Sequence, residues 1–218
     1  MIQKKLNAKA ILLDLDGTVV NSQDAYLDAA RTAFQTMGLE PPTLQTALQI
    51  PKRLEQRLPI DYLPYAYITR FLNVYFEAFY AVTHAKTKPI PNIRASLEIL
   101  QKKAKLALIT MRDVPKSAVE KELQQFGLSE YFTCILTSQD TCKPKPSPEA
   151  HIKALELMDV QICDCLIVGD SILDVTAGKT AGAKTIGVLS GLYTQQELAK
   201  VYPDLILKDA TRLPSCIS

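Results

Sequence analysis

Two aspartates two positions apart, Asp14 and Asp16, follow a short apolar run and precede Gly17 and Thr18. Like charges this close repel, so the pairing is costly unless a cation or a shared proton offsets it. Chemistry would use such a pair if one carboxylate attacks as a nucleophile and the other moves protons. The plain alternative is an acidic turn. A second acidic group, Gly169-Asp170-Ser171 with Asp174 beyond it, follows the apolar run CLIV. Oxygens from Asp14, Asp16 and Asp170 suit octahedral Mg²⁺, with Asp174 as a supporting ligand through water. Asp174 equally suits the N-terminus of a helix, where the dipole favours an acid. Thr110, directly after LALI, either donates its hydroxyl to an anionic oxygen or caps a strand end. In Lys143-Pro144-Lys145-Pro146 the prolines restrict the loop. Lys143 would offset a phosphoryl charge there, and Lys145 is expected to face solvent.

These groups need a frame that brings them together. AILL at 10–13, LALI at 106–109, CILT at 134–137, CLIV at 165–168 and KTIGV at 184–188 read as buried strands. Helices are expected between them, at about 93–103, 115–126, 148–158 and 172–181. Leu205 to Leu207 adds an edge strand. Strands alternating with helices at this spacing predict an α/β fold, a Rossmann-like parallel sheet covered on both faces. Ligands of such sheets lie beyond the carboxyl ends of the strands, which is where Asp14, Thr110 and Asp170 fall.

Residues 21–87 break the alternation and read as all-helical, beginning with a helix at 24–37. They divide the chain into a discontinuous core domain, 1–20 with 88–218, and an inserted helical cap. Eight of the fifteen aromatic residues lie between Tyr62 and Tyr80. They read first as the cap's own core, and otherwise as a substrate-facing wall.

Twenty-five basic against 23 acidic residues gives a net charge of +2. That balance provides no field for a nucleic-acid polymer, whereas a small phosphorylated metabolite needs only a few cations in one cleft. No apolar run reaches the roughly 18 residues of a membrane span, and the expected location is the cytoplasm. Five cysteines without a C-x-x-C pair argue against a disulfide framework. Cys163 and Cys165 read as partly buried thiols rather than metal ligands. A monomer and a homodimer are both compatible with the sequence.

Taken together, the motifs resemble those of the haloacid dehalogenase superfamily of phosphohydrolases. DLDGTVVNS from Asp14 is similar to the first motif and LALIT ending at Thr110 to the second. Lys143 in CKPKPSPE resembles the third, and GDSILD from Gly169 the fourth. FGLSEYF and PDLIL resemble stretches of the phosphoglycolate-phosphatase-like branch, whose helical cap follows the first motif. The resemblance implies that Asp14 is the nucleophile and forms an aspartyl-phosphate. Asp16 would be the acid and base, and its backbone carbonyl would help Asp14 and Asp170 hold Mg²⁺. Thr110 and Lys143 would bind the transferring phosphoryl oxygens. Arg112, Ser171 and Arg53 are substrate-binding candidates. The second aspartate argues for phosphoryl transfer over dehalogenation. The expected activity is Mg²⁺-dependent hydrolysis of a small phosphomonoester, with phosphoglycolate the nearest named substrate. A β-phosphoglucomutase-like mutase and a non-catalytic binding protein are the alternatives. The chain departs from the family pattern at Met111, where relatives often carry Asn or Ser, and at Cys142 and Asn92, where they often carry glycine; Asn tolerates the left-handed backbone such a turn needs.

Overall fold

Ala10–Leu13 (β1) consists of four buried residues whose side chains alternate between two apolar layers. Ile11 and Leu13 join one layer with Leu97, Leu106 and Val168, while Ala10 and Leu12 join the other with Ala107, Ile109 and Ile167. A strand buried on both faces has no room for the polar alternation of an exposed sheet. The computed structural model describes residues 5–60, 63 and 65–218. Tyr62, the first of the clustered aromatics, lies outside them.

After β1, Val20–Asn21 (β2) leads into Gln23–Thr36 (α1), Leu44–Glu55 (α2) and Ile68–Lys86 (α3), and Lys88–Pro89 (β3) pairs with β2 on the return. Then follow Ile93–Gln101 (α4), Lys105–Ile109 (β4), Lys116–Gln125 (α5), Cys134–Leu136 (β5), Glu149–Met158 (α6) and Cys165–Gly169 (β6). The chain ends with Ile172–Ala181 (α7), Lys184–Val188 (β7), Gln195–Ala199 (α8), Leu205–Leu207 (β8) and Leu213–Cys216 (α9). The expected strands and helices appear within a few residues of their sequence positions. The six-stranded sheet is parallel throughout, in the order β5-β4-β1-β6-β7-β8. Contacts divide the chain into two compact units, one running to Val20 and resuming at Pro89, the other Asn21–Lys88.

The Asn21–Lys88 unit has a core of its own. Ala25, Ala29, Ala30 and Ala33 lie along one face of α1 at helical spacing and meet Phe71, Tyr75 and Phe79 of α3. The small alanines let large rings fill the space between the helices. Phe34 and Phe71 meet edge to face at 5.5 Å, and Tyr26 stacks on Phe79 at 4.9 Å. Phe71, Tyr75 and Phe79 are therefore core residues of this unit, while Tyr67 and Phe76 are exposed. At the return to the sheet, Asn92 adopts φ +67°, the left-handed turn expected of it. Cys165 is buried in β6, and Cys163 is exposed. Among the described residues, no helix is long and apolar enough to cross a membrane.

Candidate active site

The register of the sheet aligns the ends of three neighbouring strands. Leu13 of β1 pairs with Leu108 of β4 on one side and Val168 of β6 on the other. Asp14, Thr110 and Asp170 follow these ends, and the Asp14 amide still donates to the Val168 carbonyl at 2.9 Å. Gly17, at φ +85°, turns the chain immediately beyond Asp16. A carboxylate oxygen from each of Asp14, Asp170 and Asp174 lies within 4.8 Å of the others. Asp170 and Asp174 are buried.

The cation on this cluster is Lys145. Its ammonium donates to Asp14 Oδ1 and Asp174 Oδ1 at 2.6 Å each and to the Ile109 carbonyl at 2.9 Å. An ammonium has three protons, and each has an acceptor here. Lys145 is buried, against the expectation that it faces solvent. Lys143, the expected phosphoryl ligand, is exposed, and its backbone amide donates to Glu149 Oε2 at 3.1 Å. The Cys142 amide donates to the other Glu149 oxygen at 2.8 Å. One carboxylate thus brackets the loop from α6 and turns the second lysine, not the first, into the site.

Burial pushes the Asp14 carboxyl up to about 8; Lys145 offsets part of this, and Asp174 and Asp16 add to it. Burial alone would lower the Lys145 ammonium, but Asp14 and then Asp174 outweigh it and hold it above its ordinary value. Three carboxylates cluster beside one ammonium that contacts two of them, which leaves an excess of negative charge in a largely buried place. Hard oxygen donors with that excess fit a divalent cation, so the cluster could coordinate one. Among the described residues, only Oδ1 of the Asp14 carboxylate is hydrogen-bonded.

Asp174 has a second task. Its Oδ2 accepts from the Ser171 amide at 3.1 Å, while the Ser171 hydroxyl accepts from the amides of Leu173 and Asp174. This reciprocal capping box starts α7. The oxygen of the Ser171 hydroxyl, expected to meet substrate, is therefore engaged by the helix end, and these bonds do not use its proton. Arg53 donates from Nε to the Pro59 carbonyl at 2.6 Å, within its own unit. Thr110 is buried and accepts from the Arg112 amide at 3.2 Å.

Arg112 is also buried, and it grips Asp16 with two bonds. Nε donates to Asp16 Oδ2 at 2.8 Å and Nη2 to Oδ1 at 2.7 Å. On its other edge Nη1 meets Glu122 of α5 at 2.5 Å. Burial disfavours the charged guanidinium, but Asp16 and then Glu122 outweigh it and keep it firmly protonated. Glu122 carries no sequence signal beyond its place on a helix.

Asp170 is held from a distant part of the chain, its Oδ2 accepting the Leu192 amide at 3.0 Å. Gly191 precedes that amide, and a Cβ there would overlap the Asp170 carboxylate. Gly191→Ala is expected to displace Asp170 and to weaken divalent-cation affinity by roughly 10- to 100-fold, as the loss of a group orienting a ligand does. Isothermal titration with Mg²⁺ measures this, and unchanged affinity would show that the loop adjusts without moving Asp170.

Residues 11–188 match the model of the haloacid dehalogenase-like hydrolase family. A phosphoglycolate phosphatase of Vibrio vulnificus is 30% identical, with 94% of each chain covered. A pyrophosphatase of Anoxybacillus flavithermus is 27% identical over 97% of this chain and 98% of its own. Among solved structures, a haloacid dehalogenase-like family hydrolase from Streptococcus pneumoniae superposes with a TM-score of 0.81 at 20% identity. That alignment covers 95% of this chain and 97% of the other, and it speaks for the fold.

Proposed function

Because the chain belongs to the haloacid dehalogenase-like hydrolase family, we propose that it is a Mg²⁺-dependent phosphatase of small phosphomonoesters, working through an aspartyl-phosphate. The observation that carries this reading is the Asp14 carboxylate at the end of the central strand β1. Lys145 holds one of its oxygens, and Asp170 and Asp174 lie beside it.

In the proposed reaction Asp14 attacks phosphorus in line. The bond from phosphorus to the leaving oxygen breaks, the electron pair stays on that oxygen, and Asp16 supplies its proton. Water then attacks the phosphorus of the aspartyl-phosphate, Asp16 takes the proton from that water, and Asp14 is regenerated as phosphate departs. Lys145 orients the nucleophile and offsets its charge, a contribution preset before the substrate arrives. Thr110 is the candidate donor to a phosphoryl oxygen. Asp14, Asp170 and the Asp16 carbonyl would hold Mg²⁺, which when bound would neutralise charge on the nucleophile and the phosphoryl group. Asp174 serves this site through Lys145.

The substrate proposal is a small phosphomonoester, with phosphoglycolate first and pyrophosphate as the competing case suggested by the second named relative. The proposal carries with it a cytoplasmic location. Phosphate release should be measured on a panel containing phosphoglycolate, sugar phosphates, nucleoside monophosphates and pyrophosphate, with product identity followed in parallel. The expected result is release that stops with a chelator and returns with Mg²⁺. Isomerised sugar phosphate without released phosphate would establish a mutase instead, and silence across the panel would remove the phosphatase reading.

A further inference from the structure

We propose that Arg112 is a positioning residue for the Asp16 carboxylate, clamped from its far edge by the buried Glu122 so that it aims Asp16 at the leaving oxygen. The inference rests on the phosphatase reading and deepens it.

Arg112 immediately suggests a ligand for substrate, since it stands three residues beyond the end of β4 at the site. Its geometry points elsewhere. The guanidinium has five N–H donors in one plane. Nε and one Nη2 proton go to the two Asp16 oxygens, at 2.8 and 2.7 Å. Nη1 and the other Nη2 proton go to Glu122, at 2.5 and 3.4 Å. Two carboxylates therefore hold opposite edges of the same plane. A bidentate fork fixes the carboxylate's rotation as well as its position, which a lysine ammonium cannot do.

The network is anchored at one end and open at the other. The side chains of Arg112 and Glu122 are 4% and 5% exposed, whereas that of Asp16 is 14% exposed. The backbone beneath Arg112 is pinned too, because its amide donates to Thr110 Oγ1 and its carbonyl accepts from the Ser138 amide at 3.2 Å. The clamp thus fixes the orientation of the Asp16 carboxylate from its buried side. Without Glu122, the guanidinium would lose the support that keeps its plane aligned with Asp16.

Leaving-group dependence separates this role from the others. Departure of an alkoxide needs the Asp16 proton, whereas 4-nitrophenolate leaves well without one. The experiment measures kcat/KM, with Mg²⁺ present, for an alkyl phosphomonoester that the enzyme accepts and for 4-nitrophenyl phosphate. Unaltered enzyme, Arg112→Lys and Glu122→Gln are compared. Arg112→Lys should lose about 10-fold more on the alkyl ester than on the aryl ester, and Glu122→Gln should lose in the same direction by less. The ratio is taken within each variant, so a fall in the amount of folded enzyme cancels. Equal losses on both esters in both variants would overturn the positioning role while leaving the phosphatase reading intact. That is the pattern of a phosphoryl-binding arginine or a purely structural one. No turnover of either ester by the unaltered enzyme would overturn both.

Discussion

Asp14→Asn is expected to abolish turnover and, in the metal-free protein, to raise the melting temperature. The first effect follows from the proposed covalent step. An amide has no anionic oxygen to attack phosphorus, and loss of a nucleophile costs hydrolases roughly 10⁵-fold or more in kcat. The second follows from burial. The Asp14 carboxyl is pushed from 3.8 up to about 8, so the folded protein holds a proton that the unfolded chain releases. A raised carboxyl pKa is a stability contribution that is fully present below the unfolded value and is lost as pH rises towards the folded one. Without metal, the unaltered protein should therefore lose stability between about pH 4 and 8. The amide that replaces the carboxyl does not titrate, and its carbonyl oxygen can still accept from Lys145. The linkage makes the gain in the variant at most about 4 kcal/mol near neutrality. Thermal melts in chelator at about pH 5 and about pH 8 measure it, and the gap between the two proteins should widen at the higher pH. Retained turnover would remove Asp14 as the nucleophile, and a gap that stays constant with pH would remove its burial as the cause.

Lys145→Met and Lys143→Ala have opposite sizes of effect. Removing the Lys145 ammonium leaves Asp14 and Asp174 facing each other with the Ile109 carbonyl deprived of its donor. Breaking a buried pair from one side costs about 3–5 kcal/mol, and losing a preset charge at the reacting group costs about 10²- to 10³-fold in kcat. Part of the stability loss should be recovered by Mg²⁺, which supplies positive charge to the same carboxylates. Lys143→Ala, at an exposed position, should change stability by about 0.5 kcal/mol or less and kcat by less than about twofold. Paired melts and steady-state rates on the two variants are decisive. Equal losses would mean that both lysines serve the site.

That contrast also shows where sequence reasoning stops. The strand ends were legible because AILL, LALI and CLIV are apolar throughout and end abruptly in Asp14, Thr110 and Asp170. The chemistry of each punctuation mark could then be read directly. The loop Lys143-Pro144-Lys145-Pro146 was not legible in the same way. It repeats itself when shifted by two residues, so composition favours neither lysine. The choice is made by Glu149, whose carboxylate takes two loop amides and fixes the register. Arg112 was visible as a charge but not as a buried one. Its second partner, Glu122, lies ten residues away on α5, where a glutamate on a helix ordinarily faces water. Ser171 and Asp174 were legible as polar residues near a helix start, and the capping box shows both engaged at the start of α7. Asn92 could be predicted because a left-handed φ is a local demand, met without reference to any distant partner.

The position of β1 in the middle of the sheet has a consequence for synthesis. Asp14 is made well before its neighbours, because β1 gains them only when residues 105–109 and 165–169 have been made. Its counter-charge is at Lys145, and the amide that holds Asp170 belongs to Leu192. Asp14 therefore waits until Lys145 has been made before it is given a cation, and its neighbouring carboxylates, Asp170 and Asp174, come later still. A chain ending before Leu192 would carry every expected catalytic residue and still lack the donor that aims Asp170.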